Sequence, residues 1–106
     1  MLIVFPGNTD AKVGSDARLN CTTSLSKPVN WQYGKDPAGM ADVYIGGEGL
    51  VRPYSNSKRH SVDEDPTTGR YDLIIKGVSK EDEGVYVCSE KASRDDPPQA
   101  RLTVTG

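Results

Sequence analysis

Apolar residues recur in this chain at every second position, in short runs. Ala17, Leu19 and Cys21 alternate with Arg18 and Asn20. Val29, Trp31 and Tyr33 alternate with Asn30 and Gln32, and Leu102 and Val104 with Thr103 and Thr105. Leu73 and Ile75 share a face. So do Tyr86 and Cys88, with Val85 and Val87 on the other side. Side chains leave a strand on alternate faces, whereas a helix repeats every three or four residues. The pattern therefore predicts half-buried β-strands. Turn-forming clusters separate them: Pro6-Gly7-Asn8, Gly14-Ser15-Asp16, Gly46-Gly47-Glu48-Gly49 and the Gly- and Pro-bearing stretches near positions 34–39, 65–69, 80–84 and 94–98. Strands spaced in this way are those of an all-β sandwich. The longest helix expected is a single turn at Lys80-Glu81-Asp82. The long stretch between Trp31 and Tyr71 has room for three short strands, with Val43-Tyr44-Ile45, Leu50-Val51-Arg52 and His60-Ser61-Val62 as candidates. Antiparallel pairing is expected, because parallel strands need long crossovers.

At 106 residues, the chain suits one domain spanning 1–106. Hydrophobic residues make up 35%, too few for a membrane protein and too well patterned for disorder. Thirteen Lys and Arg against fifteen Asp and Glu leave a net charge of −2. That balance offers no basic surface for nucleic acid or for an anionic membrane. No stretch approaches the ~20 apolar residues of a spanning helix. The run Leu2-Ile3-Val4-Phe5 lacks a cationic lead and is too short for the core of a signal peptide. If the protein is extracellular, its signal and any anchor are expected outside these residues.

Cys21 and Cys88 are the two cysteines, and His60 is the single histidine. A structural zinc site takes about four ligands, more than these residues provide. A disulfide is the better reading and implies an oxidising compartment. In the chain-entropy model a loop this long stabilises the fold by roughly 4 kcal/mol. Two buried free thiols are the alternative.

Cys21, Trp31 in the next strand, and the run Asp82-Glu83-Gly84-Val85-Tyr86-Val87-Cys88 resemble an immunoglobulin domain. The resemblance extends from Val13-Gly14-Ser15 to Leu102-Thr103-Val104. It implies an immunoglobulin-like Greek-key sandwich of two antiparallel sheets, with Cys21–Cys88 linking them against Trp31 and with Leu73 and Tyr86 in the core. Tyr86 would form the family's tyrosine corner, Gly84 would permit the turn before it, and Arg59 would pair with Asp82. The long segment between Trp31 and Arg59 is similar to variable-type (V-set) domains, which add strands C′ and C″ to the sheet of strands G, F and C. Antigen-receptor variable domains open strand G with Phe-Gly-x-Gly. Here Asp96-Pro97-Pro98-Gln99-Ala100 stands instead, which favours an innate or ancestral receptor of this type over an antigen receptor.

Catalysis has little support. His60 follows Lys58 and Arg59 in an expected edge strand, with no nucleophile set against it, and reads as a solvent-facing side chain. Asp63-Glu64-Asp65 reads as part of a solvated turn, since the spacing of a calcium loop is missing. No cofactor or metal site is indicated. Asn20-Cys21-Thr22 is an N-glycosylation sequon, and an inward Cys21 puts Asn20 outward.

By the same alternation Asn30, Gln32, Val85 and Val87 should point out from the opposite sheet, joined by Tyr44 or its neighbours. This forms an exposed patch of the kind found at protein interfaces. Lys91, Arg94, Asp95 and Asp96 give the loop end both charge signs. The function expected is that of an extracellular recognition module, secreted or on an ectodomain, of an innate immune or antigen-receptor-like protein. It would bind a protein partner through the GFCC′ sheet or the loop end. A homodimer through that sheet and homophilic adhesion fit the same surface, and a glycan is a further ligand class left open. An intracellular structural immunoglobulin domain is the alternative, marked by reduced thiols.

Overall fold

The computed structural model describes residues 2–24, 29–36, 39–90 and 98–106. One sheet has five strands: β1 (Leu2–Val4), β3 (Ala17–Leu19), β4 (Thr22–Thr23), β8 (His60–Asp65) and β9 (Arg70–Ile75). β9 lies between β8 on one side and β3 and β4 on the other, and β1 pairs with β4. β3 and β4 are one interrupted strand. Leu19 opposite Leu73 and Thr22 opposite Arg70 keep a single register. At the interruption the Cys21 N–H donates to the buried Asp72 carboxylate at 2.9 Å.

The facing sheet has six strands in the order β2 (Thr9–Lys12), β11 (Gln99–Thr105), β10 (Gly84–Glu90), β5 (Val29–Gly34), β6 (Ala41–Ile45) and β7 (Gly49–Leu50). This is the all-β, two-sheet immunoglobulin-like sandwich expected, with β6 and β7 in the places of C′ and C″. Two details differ. β2 runs parallel to β11, while the other described pairs are antiparallel. The chain leaves the first sheet after β1 and continues into the second as β2. These strands are only three and four residues long, too short to show a period. The strand expected at Leu50-Val51-Arg52 is shorter, because Pro53 lacks an N–H to extend the ladder and a 3-10 turn follows at Tyr54–Asn56.

The core sits between the sheets. Trp31, Leu73, Cys21 and Cys88 are fully buried and Tyr86 nearly so. Cys21 and Cys88 are disulfide-bonded, with their Cα atoms 6.5 Å apart. Trp31 is beside Cys88 in the ladder, and its indole N–H donates to the Tyr71 carbonyl at 2.8 Å. The Tyr86 hydroxyl donates to the Asp82 carbonyl at 2.6 Å, and the Tyr33 hydroxyl to that of Glu83 at 2.6 Å. Asp82 closes the 3-10 turn Lys80–Asp82, which Ser79 caps.

Gly69 illustrates how tightly the turns are held. Its φ is +79°, and a Cβ there would lie 2.0 Å from the Thr23 carbonyl oxygen. Asp63, Glu64 and Asp65 belong to β8, not to the turn after it as expected. Pairing of Asp63 with Asp72 and Asp65 with Arg70 carries the ladder to that point, and the turn is confined to residues 66–69.

Candidate interaction surface

The outer face of the six-stranded sheet follows from the alternation on β10. Tyr86 and Cys88 point into the core, so Val85 and Val87 point away from it. Across the ladder Val87 stands between Gln32 and Gln99, and Val85 between Gly34 and Arg101. Asp42 on β6 completes the row of Gln32 and accepts a hydrogen bond from its amide at 3.1 Å. Asn8, Val85, Gln99, Ala100 and Arg101 line a shallow depression on this sheet. Asn8 is held there by accepting the Arg101 N–H at 2.9 Å.

Three of the residues expected as an exposed patch are covered. Val85 and Val87 are 3% and 4% exposed. On a central strand each valine is short and its row is flanked by longer side chains, notably Gln32, Gln99 and Arg101. Tyr44 is 2% exposed and belongs to the core, its hydroxyl donating to Glu64. The cause is a bulge. Trp31 pairs with Tyr44 but Gln32 pairs with Asp42, so Val43 is an extra residue and the alternation of β6 slips by one. Asn30 and Gln32 are half-buried on the outer face. Asn30 is already committed, its side-chain oxygen accepting the Gly46 N–H at 2.9 Å. The face is thus an apolar floor of two valines under a polar rim. Gln99 and Arg101 were legible in the alternation around Leu102 and Val104, whereas Asn8 and Asp42 depend on pairings that only the fold supplies.

At the loop end, residues 25–28 and 91–97, including Lys91, Arg94, Asp95 and Asp96, lie outside the described residues. The described part is the Gly46–Gly49 hairpin turn, in which the Glu48 N–H donates to Ile45.

The base of the domain holds a charged cluster. Arg59 grips Asp82 with two N–H groups, at 2.7 and 3.2 Å. The Ser79 N–H adds a third bond at 2.9 Å. Burial would push the Asp82 carboxyl up, but Arg59 and the Ser79 N–H outweigh it and hold the group below the usual carboxylate range. His60, read from sequence as solvent-facing, is 8% exposed. It opens β8 opposite Ile75, with Tyr54 edge-on to its ring at 5.1 Å and the Ser57 hydroxyl 2.9 Å from Nδ1. Burial pushes the imidazole down; Asp82, 3.9 Å away, opposes this and Arg59 adds to it. Ser57 is thus the hydroxyl set against His60, where the sequence suggested none, and Asp82 lies on the other side of the ring. Among the described residues no three His, Cys, Asp or Glu side chains are grouped to hold a metal.

The opposite, five-stranded sheet is ionic on its outer face. Arg18 bridges Asp63 at 2.5 Å and Asp72 at 2.9 Å, and Arg70 lies 3.4 Å from Asp63. Asn20 is exposed on this face.

The immunoglobulin V-set family model matches residues 4–105, and the chain belongs to that family. In fold it is similar to Dpr1 IG1 in its crystal structure bound to DIP-eta IG1, with a TM-score of 0.75, 17% identity, and 99% of this chain and 94% of that one covered. It is also similar to the RIG-5 IG1 homodimer chain, with a TM-score of 0.75, 18% identity, and coverage of 96% and 93%. No curated protein matches the chain in sequence.

Proposed function

We propose that this V-set domain is an extracellular recognition module of the receptor or adhesion type. It docks a second immunoglobulin domain, in the first instance its own copy, on the outer face of β11, β10, β5 and β6. The observation that carries this reading is the polar outer face of that sheet, in which Gln32, Gln99 and the oppositely charged Arg101 and Asp42 lie over the covered valines of β10. Charges of opposite sign on such a face orient a partner of complementary charge. Two fold neighbours at low identity point the same way, one bound to another immunoglobulin domain and one a homodimer. An innate immune role with a different ligand would use this sheet or the loop end.

A two-fold axis along the strands would lay β11 of one copy over β6 of the other. Asp42 would then stand over Gln99 of the facing copy, in its own row, with Arg101 one row along the strand and its long side chain able to reach that carboxylate. Sedimentation tests this. Wild type should move toward dimer as concentration rises, Arg101→Glu should remain monomeric, and Arg101→Glu with Asp42→Lys should recover the dimer. Wild type that stays monomeric at high micromolar concentration rules out the homophilic form and favours another partner, at this face or at the loop end.

A further inference from the structure

The sequon Asn20-Cys21-Thr22 falls at the interruption between β3 and β4. The residues around it are arranged for opposite fates. Cys21 is fully buried and bonded to Cys88, while Asn20 is exposed. On the register set by Leu19–Leu73 and Thr22–Arg70, Asn20 stands opposite Asp72. The Asp72 carboxylate turns toward the Cys21 N–H and the Arg18 guanidinium, at 2.9 and 3.1 Å. The amide of Asn20 is therefore left toward solvent on the outer face of the five-stranded sheet, with Arg18 two residues before it along the strand. Timing is also favourable. Cys88 lies 67 residues further along the chain, so during synthesis the sequon is presented in an open chain before its cysteine can pair.

We infer that Asn20 is N-glycosylated, an assignment that rests on the extracellular reading above, and that the glycan shields the ionic face of Arg18, Asp63 and Asp72. The donor is a lipid-linked oligosaccharyl pyrophosphate. The Asn20 side-chain nitrogen forms a bond to the anomeric carbon and loses a proton as the carbon–oxygen bond to the lipid pyrophosphate breaks. The modification leaves the outer face of Gln32, Gln99 and Arg101 open, since that face is on the opposite sheet. A bulky polar chain on one sheet thereby directs docking to the other.

The test is expression of the chain behind a secretion leader in a eukaryotic cell, with intact mass measured on both secreted and cell-retained protein. A single glycan is expected on wild type, removable by an amidase that leaves one aspartate in its place. Asn20→Gln and Thr22→Ala should lack it and Thr22→Ser should keep it, with Cys21–Cys88 oxidised in all. Secreted, disulfide-bonded wild type with an unmodified Asn20 overturns the proposal and leaves the extracellular reading standing. Glycosylated chain that is retained with free thiols supports the modification and counts against that reading.

Discussion

Asp82 gathers the base of the domain around one carboxylate. Arg59 and the Ser79 N–H bind its side chain, and Tyr86 binds its carbonyl. Because its folded pKa lies below the ordinary value, its contribution to stability is present above the unfolded carboxylate pKa. That contribution is lost as pH falls through the depressed folded value. Arg59→Ala would leave a buried carboxylate without its cation, and unfolding should become easier by about 1–3 kcal/mol in a denaturant titration. Arg52→Ala, at an exposed position, should change little. His60 has the same sign for a different reason. Burial lowers its pKa, so folding favours the neutral ring, and that benefit is lost as pH falls below the unfolded pKa toward the folded one. The thermal midpoint should fall between about pH 7 and pH 5, and His60→Gln should flatten that part of the profile. A slope unchanged by His60→Gln would assign it to other groups. Asp82 was legible in the run up to Cys88. The burial of His60 was not, because it depends on Tyr54 and Ser57 closing over it from a turn that no periodicity announces.

Strands show where alternation can be read and where it slips. β5, β10 and β11 keep their period, so Trp31, Tyr86 and Leu102 face the core as the sequence implies. β6 breaks it at Val43, and Tyr44 moves from the expected outer face to the interior. A bulge adds one residue to one strand only, so neither strand's own pattern reports it. The turn after β8 has a stricter requirement. Gly69→Ala combines a positive φ with a backbone clash against Thr23, and should cost more than the ~1 kcal/mol typical of a substitution. A thermal midpoint equal to wild type would show that β4 and the turn can separate without loss. The two outer faces can also be compared. Gln99→Asn with Arg101→Thr writes a second sequon onto β11. A glycan there should abolish the self-association seen by sedimentation, while one at Asn20 should leave it intact.

Across the whole molecule the two sheets are held by a buried core and one covalent link. Cys88→Ala should destabilise the domain by roughly 2–5 kcal/mol, read as a lower urea midpoint. Equal midpoints with and without reductant would count against a structural disulfide. The class of fold was legible because its determinants are local or nearly so: a period of two, turn residues at short intervals, and cysteines, Trp31 and Tyr86 in strands whose inward faces alternation marks. What lay beyond reach was everything set by one strand meeting another. The parallel pairing of β2 with β11, the slipped register of β6, the covering of Val85 and Val87 and the enclosure of His60 all depend on neighbours distant in the chain. The sequence by itself determined which residues turn inward along the strands that keep their period, β5, β10 and β11. Tertiary structure alone decided which outward residues remain open to a partner, because exposure depends on the side chains of adjacent strands and not on the strand's own alternation.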